Sequence, residues 1–377
     1  MLGLEFYAMG CQMQALTTAD NPRIEQGLND LIVDFKQAEQ RFSRFIADSE
    51  LMRLNQQRSL TVSPEFWQLL QHSLSAARLT QGLITPTIYQ QLLQRGYTLS
   101  FDKLSKYQSS DSSINHTRLA DTGGSQPCQH ILVNDKTHEV VLLKDIKLDF
   151  GGFAKVLTAY HTAQTLAHLG TSVLIDAGGD IVTTGNDFAT PTEPWQIALP
   201  SANDIKLPMD DGIFHNKRTI SQSPTDWQLV SQDTFIHLPT NRTHILATSG
   251  IDYRYWYQGQ SLQHHLINPL RQDVEKATSE VVCASILIDE TLFYQNQDSF
   301  CPTIADFLQT SNACNLAQTL SKLVCLLGLE KSLQWLDQHG LKGLGISVII
   351  ATPTGYQQWL NPTMQAFCAD DNNKDLS

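Results

Sequence analysis

The sequence predicts an α+β protein in which mixed and antiparallel sheets pack against helices. Between residues 22 and 45, apolar side chains recur three and four positions apart, which is typical of an amphipathic helix. Short apolar runs bounded by polar residues, such as 172–175 and 281–288, indicate strands. Helices and strands do not alternate regularly along the chain, so a regular βαβ arrangement is not expected.

The same two patterns predict the remaining elements in order. Further helices are expected at 64–81, 154–169 and 316–327. Further strands are expected at 5–13, 131–133, 140–143, 195–199, 245–248 and 345–350. Polar stretches with weak patterning are interpreted as insertions near 101–129, 201–233 and 289–312. We therefore expect one domain over residues 1–360, followed by a polar tail over 361–377.

Composition excludes several classes of partner. The 377 residues are 41% hydrophobic and 17% charged, as in globular proteins that bury a sizeable core. A net charge of −12 argues against nucleic acid or an anionic membrane as the main partner. The seven cysteines are scattered without a CxxC pair, which favours neither a zinc cluster nor a disulfide framework.

The amino-terminal segment gives an expectation about location. It has no basic region followed by a long apolar run, as a secretory signal would. Gly10-Cys11 lacks the apolar run that precedes a lipoprotein cleavage site. No uninterrupted apolar segment reaches about 18 residues, so membrane insertion is not expected. The protein is expected to be cytoplasmic.

Two glycine-containing segments are the most informative part of the chain. Residues 148–155 read LDFGGFAK and residues 174–181 read LIDAGGDI, and we call them the first and second glycine turns. Glycine pairs allow positive φ and close backbone approach, so amide groups can point at phosphate oxygens. The sequences ATSG at 247–250 and HHLINP at 264–269 follow. The pattern predicts that both turns hold a dinucleotide diphosphate beside the cation of Lys155.

Together these motifs resemble those of the FAD:protein FMN transferase (ApbE) family. Met9-Gly10 and the segment 42–55, which contains FSRF, DSEL and RLN, match in the same order. The resemblance covers most of the chain and implies an α+β fold with a flavin cleft between two lobes. It implies an enzyme that binds FAD and uses a divalent metal, usually Mg²⁺. Such an enzyme transfers the FMN moiety to a Ser or Thr of a partner redox protein and releases AMP.

The resemblance also implies roles for individual residues. His265 is the candidate proton acceptor, because histidine titrates near neutrality, and Lys155 is the second candidate catalytic residue. Each has an alternative interpretation, as a structural histidine and as a solvated surface lysine. Asp180 could equally be a turn-capping aspartate. The candidate flavin-binding residues are Met9, Gly10, Gly151, Gly152, Asp176, Gly178, Gly179, Asp180, Thr248, Ser249 and Lys322.

The metal site departs from the family pattern. The resemblance assigns one ligand to the Ala154 carbonyl and places an Asp and a Thr one helical turn apart, where this chain has Gln318 and Lys322. A Gln–Lys pair would be a poor magnesium site. Lys322 could instead contribute positive charge to the diphosphate. In a rival register, Asp306 and Thr310 restore both oxygen ligands.

These departures leave two functions open. The first is transfer of FMN from FAD to a partner protein of a flavin-dependent redox system. The alternative is an FAD-binding member of the family with a degenerate metal site and little or no transferase activity. The neutral amide of Asn268, where the family has an Asp, favours the alternative. The acceptor protein and the oligomeric state are not defined by the sequence.

Overall fold

A computed structural model describes residues 1–104, 127–185, 193–207, 226–258, 261–270, 279–341 and 343–368. Its strands are β1 Leu2–Ala8, β2 Cys11–Thr17, β3 Ser59–Thr61, β4 Ile131–Asn134, β5 Glu139–Leu142, β6 Val173–Asp176, β7 Ile181–Thr184, β8 Trp195–Ala198, β9 Gln228–Val230, β10 Phe235–Leu238, β11 His244–Gly250, β12 Tyr255–Gln258, β13 Ser261–His264, β14 Val281–Asp289, β15 Gly345–Thr352 and β16 Gly355–Leu360. Its helices are α1 Pro22–Phe42, α2 Glu50–Gln57, α3 Pro64–Leu79, α4 Tyr89–Gln94, α5 Phe101–Leu104, α6 Ala154–Ala167, α7 Glu290–Gln295, α8 Pro302–Gln309, α9 Ala313–Leu327, α10 Leu329–Gln338 and α11 Pro362–Gln365.

A nine-stranded sheet forms the centre of the described structure. Its order is β1-β2-β6-β7-β11-β14-β15-β16-β9, and the ladders that join these strands are antiparallel. Three smaller antiparallel sheets pair β10 with β8, β12 with β13, and β5 with both β3 and β4. The predicted α+β class is confirmed, and the strand pairs of the described residues are antiparallel.

The first predicted strand is in fact a hairpin. β1 and β2 pair from Leu2 with Thr17 to Ala8 with Cys11, and Met9 and Gly10 form the turn. Both turn residues have positive φ, 50° and 73°, as a tight two-residue hairpin requires. The prediction of one strand over 5–13 was wrong because the alternation of apolar side chains continues on both sides of the turn.

One face of the sheet packs against α6 and α9. Every residue of α9 from Ala313 to Ser321 is buried, and small side chains allow the helix to lie close to β11 and β14. α9 begins at Asn312, whose side chain accepts a hydrogen bond from the Asn315 amide. Within the described ranges, α6 begins at Phe153 without a side-chain cap. The Phe153 and Ala154 amides donate to the Phe150 carbonyl at 2.9 and 3.0 Å, which leaves the Lys155 and Val156 amides available to other acceptors.

The opposite face carries a second apolar cluster under β8, β10 and α11. Trp195, Ile236 and Leu238 pack there with Met364, which is fully buried. The backbone of Cys368 forms an isolated antiparallel β-bridge with the backbone of Ile236. The predicted polar tail was therefore wrong at its boundary, because residues 361–368 belong to the packed structure. Its remaining residues lie outside the described ranges.

The predicted insertions have different outcomes. The stretch 289–312, interpreted from the sequence as an insertion, contains α7 and α8, and Ile304 and Phe307 of α8 are buried. Most of the expected insertions at 101–129 and 201–233 falls outside the described residues. Within the described residues, no helix combines the length and apolar character needed to cross a membrane.

Candidate functional site

A cavity of about 530 Å³ lies beside the sheet, and both glycine turns contribute to its lining. This volume falls in the range of small-molecule and cofactor sites. The lining includes these residues singled out from the sequence: Met9, Gly10, Gly151, Gly152, Ala154, Lys155, Gly178, Asp180, Thr248, Ser249, His265, Gln318 and Lys322. Four others lie outside the lining: Asp176, Gly179, Asp306 and Thr310.

The second glycine turn adopts the left-handed conformation expected of a glycine pair. Gly178 has φ +72° and Gly179 has φ +94°. A β-carbon on Gly178 would lie 2.8 Å from the β-carbon of Cys11, so only glycine allows the hairpin to approach. The Gly179 amide donates to Asp176 Oδ1 at 2.7 Å. Burial raises the pKa of Asp176, although the hydrogen bonds from the Gly179 and Gly178 amides oppose this effect.

Asp180 joins the second glycine turn to β11. Its carboxylate is buried, and Oδ1 accepts the Thr248 amide at 3.1 Å. The hydroxyl groups of Thr248 and Ser285 are 2.9 Å apart, and those of Ser249 and Ser321 are 2.8 Å apart. Thr248 and Ser249 therefore help to fix the cavity wall as well as lining it.

The first glycine turn allows close contact without positive φ. Gly151 and Gly152 are not among the glycines with left-handed backbone, so the expectation of positive φ was wrong at this pair. A β-carbon on Gly152 would lie 3.2 Å from Lys322 Cε, and one on Gly151 would lie 3.1 Å from Asp149 Oδ1. The Gly151 amide donates to that oxygen at 2.9 Å. Glycine is favoured at both positions because Lys322 of α9 leaves little room for a side chain at Gly152, and Asp149 leaves little room at Gly151.

Arg44 is a cavity residue to which the sequence interpretation assigned no role. It ion-pairs with Asp149, Nε to Oδ2 at 3.1 Å, and both side chains are almost fully buried. Its guanidinium lies over the rings of Phe45 and Tyr97, at 4.4 and 4.3 Å. Nη2 is buried without a hydrogen-bond partner in the described structure. The arginine between aromatic residues in FSRF was the available signal.

Three cationic side chains line the cavity near one another. Lys155 is in the first turn of α6, and its Nζ is 3.6 Å from Cys11 Sγ. Arg254, which the sequence interpretation also missed, contacts the same sulfur. Lys322 Nζ donates to the Gln318 carbonyl at 3.1 Å. Burial lowers the pKa of Lys322 to about 8, against the opposing influence of Asp180.

His265 lines the cavity beside these cations. Burial lowers its pKa well below the usual value and the charge of Arg254 lowers it further, so the imidazole is neutral at pH 7. Nδ1 lies 3.4 Å from the Arg254 carbonyl. In the tautomer that donates this bond, Nε2 carries the lone pair that accepts a proton. Burial and Arg95 lower the pKa of the neighbouring His264 to about 3.

The oxygen atoms that the resemblance offers as metal ligands are poorly placed for that role. The Ala154 carbonyl accepts the Thr158 hydroxyl at 2.8 Å, in addition to the amide bond of the helix. The Gln318 side chain is buried, and its Oε1 has no partner among the described residues. Lys322 occupies the second expected ligand position. In the part of the chain that the structure describes, no cluster of three His, Cys, Asp or Glu could hold a metal.

The rival register does not place ligands in this cavity. Asp306 is exposed on α8, and Thr310 follows that helix as its C-cap. The Thr310 hydroxyl is 2.7 Å from that of Ser75 on α3. The helix that faces the cavity is α9, which carries Gln318 and Lys322. The spacing of Asp306 and Thr310 in the sequence matched that of the expected ligands, but α8 packs on α3 and not beside the cavity.

Fold and cavity define an α+β protein with a cationic site suited to a phosphorylated ligand. The model of the ApbE family matches residues 9–289, and the chain belongs to the ApbE family. No curated protein sequence matches the chain.

Solved structures of ApbE proteins share the fold, each with a TM-score of 0.63. The ApbE protein of Thermotoga maritima is 17% identical, with coverage of 98% of this chain and 99% of its own. The flavin transferase ApbE of Vibrio cholerae is 16% identical, with coverage of 97% and 98%. The apo flavinyl transferase ApbE of Pseudomonas stutzeri is 14% identical, with coverage of 97% and 96%.

Proposed function

We propose that this protein is a flavin transferase that binds FAD in the cavity and transfers its FMN moiety to a Ser or Thr of a partner redox protein, releasing AMP. One observation carries the proposal. Both glycine turns line a single cavity together with Lys155, Arg254 and Lys322, beside the neutral imidazole of His265. Membership of the ApbE family supports the flavin as ligand.

The reaction follows from what these residues can do. The acceptor hydroxyl oxygen forms a bond to the phosphorus on the FMN side of the diphosphate. The bond from that phosphorus to the bridging oxygen breaks, and AMP leaves with the electron pair. Nε2 of His265 takes the hydroxyl proton. The ammonium groups of Lys155 and Lys322 compensate the charge that grows on the leaving phosphate.

Binding is assigned to groups that already face the cavity. The Lys155 and Val156 amides in the first turn of α6 and the cations attract the diphosphate. Met9 and Gly10 at the hairpin turn, and the aromatic residues around Arg44, provide apolar contact for the ring systems. Asp180 and Asp176 hold the second glycine turn in place.

The second candidate function is FAD binding with little or no transfer. It is favoured by Gln318, a neutral amide at a position where the family resemblance implies a carboxylate. Asn268 also favours this function, because its side-chain oxygen accepts a hydrogen bond from the Leu270 amide at 3.0 Å and carries no charge. Under this function the cavity would retain the cofactor and release no AMP.

The two functions are separated by incubating the protein with FAD and a peptide carrying a Ser or Thr acceptor site. Transfer adds an FMN moiety to the peptide, seen by mass spectrometry, and releases an equal amount of AMP. We expect His265→Gln to slow transfer roughly 100-fold or more while FAD still binds, because the proton acceptor is lost. The control is His168→Gln, an exposed histidine at the end of α6. Tight FAD binding by the wild-type protein without any AMP would instead support the second function.

A further inference from the structure

The cavity disagrees with the divalent metal that the family resemblance implies. A hard cation such as Mg²⁺ needs several oxygen ligands, with carboxylates preferred. The Ala154 carbonyl is already occupied by the Thr158 amide and hydroxyl. Asp180 directs Oδ1 to the Thr248 amide. The uncommitted oxygen on α9 is Oε1 of Gln318, which carries no charge.

A positive charge already lies where the second ligand is expected. Lys322 follows Gln318 by one helical turn, so both side chains are on the same face of α9. Its stem lies against Gly152, where a β-carbon would be 3.2 Å from Cε. A divalent cation at this point would be repelled by the ammonium group, with little water between them to screen the two charges.

We propose that the ammonium group of Lys322 takes the place of the divalent metal, so that this protein binds and cleaves the FAD diphosphate without Mg²⁺. The inference rests on the proposed function for its cleavage step. Lys322 donates one N–H to the Gln318 carbonyl, and among the described residues its other two N–H groups have no hydrogen-bond acceptor. Those two N–H groups are donors for phosphate oxygens.

Lys155 completes the arrangement from the opposite element. It belongs to the first turn of α6 and ends the first glycine turn, while Lys322 belongs to α9 and lies against Gly152 of that turn. The two ammonium groups lie within electrostatic reach of each other, since the charge of Lys155 lowers the pKa of Lys322. Two cations held near each other are stabilised by a polyanion that enters between them, and a diphosphate is such a ligand.

The first test measures FAD binding by quenching of flavin fluorescence, in excess EDTA and then in millimolar MgCl₂ or MnCl₂. We expect the dissociation constant to agree within about twofold, because the protein itself supplies the compensating charge. Lys322→Gln should weaken FAD binding about tenfold in EDTA, and Lys322→Arg should recover most of it. Lys331→Gln, an exposed lysine on α10, is the matched control. Tightening of wild-type binding tenfold or more by Mg²⁺ would overturn the proposal.

The second test converts the site. The double variant Gln318→Asp and Lys322→Thr replaces the amide and the ammonium with oxygen donors at the same spacing. We expect it to bind Mg²⁺ or Mn²⁺ by isothermal titration calorimetry, whereas the wild-type protein shows no metal heat. Thermal unfolding of each variant checks that it is folded. Metal binding by the wild-type protein would contradict the inference.

The transfer assay separates failure of this inference from failure of the proposed function. Equal AMP release in EDTA and in MgCl₂ supports both. Release that requires Mg²⁺ supports the transferase and overturns the replacement by Lys322. No release under any condition, with FAD binding still indifferent to metal, contradicts the transferase while the replacement of metal by Lys322 in diphosphate binding stands.

Discussion

Gly178 shows how a single position determines the shape of the cavity. Its backbone is left-handed and it lies against the Cys11 side chain. A side chain at this position would therefore cause both backbone strain and a steric clash. Gly178→Ala should lower the free energy of unfolding by about 1–3 kcal/mol, as expected for strain at a special backbone conformation. Urea unfolding measures the change. Gly343→Ala is the control, because a β-carbon at Gly343 meets nothing within 4 Å and its φ is not left-handed.

Arg44 has a structural ion pair and also lines the cavity. Arg44→Ala leaves the Asp149 carboxylate buried without its ion-pair partner. We expect a loss of about 3 kcal/mol in the free energy of unfolding, together with weaker FAD binding. Arg53→Ala, on the exposed face of α2, should change neither quantity appreciably. An unchanged unfolding free energy for Arg44→Ala would show that the ion pair contributes nothing.

At the scale of elements, Asp289 ends β14 and caps α7. Burial alone would raise its pKa, but the His244 ring 3.6 Å away and hydrogen bonds from the Leu292 amide and Arg242 outweigh burial and lower the pKa from 3.8 to about 2. The carboxylate therefore stabilises the fold above pH 4, and this contribution is lost as pH falls from 4 towards 2. After allowance for solvent screening it amounts to about 1 kcal/mol.

Chemical denaturation at several pH values tests this contribution. Asp289→Asn should be less stable than the wild-type protein at pH 7, and the difference should shrink at pH 3. Asp298→Asn, on the exposed turn after α7, is the control. A stability difference that grows as the pH falls would contradict the assignment, since a group with lowered pKa can only lose its contribution on protonation.

Elements in which apolar residues recur at a regular spacing were predictable from the sequence. Elements that depend on contacts with distant parts of the chain were not. α1, α3 and α6 begin where Pro22, Pro64 and Ala154 indicate, because apolar spacing and N-terminal signals agree. β16 and α11 were missed because polar residues make up much of each. Each contributes only a few apolar side chains to the core, too few to give a recognisable period. The turn at Met9-Gly10 was missed because a non-glycine residue occupies a left-handed position.

The order of the motifs correctly predicted which segments line the cavity, but it did not identify every residue that lines it. The juxtaposition of the two glycine turns with His265 and Lys322 followed from the resemblance. Arg254 could not be found this way, since its position depends on a bend between β11 and β12 that has no sequence period. The choice between α8 and α9 as the helix facing the cavity also required the packing of the whole chain.

At the scale of the whole molecule, the net charge of −12 contrasts with the cluster of cations in the cavity. Attraction between this cluster and a diphosphate is screened by salt. We expect FAD to bind several-fold more weakly at about 0.5 M than at about 0.05 M NaCl. Riboflavin, which lacks phosphate, should bind with little salt dependence. Equal salt dependence for both ligands would show that the cations do not contact the diphosphate.

The attachment of α9 to β11 has a mechanical consequence. The Ser321 hydroxyl meets the Ser249 hydroxyl at 2.8 Å, and one turn later Cys325 Sγ donates to the Ser249 carbonyl at 3.2 Å. Two tethers on either side of Lys322 hold its helix against rotation and sliding. The ammonium group is thus preorganised, and its alignment needs no energy from the arriving ligand. For the proposed reaction, the alignment of Lys322 is therefore completed during folding.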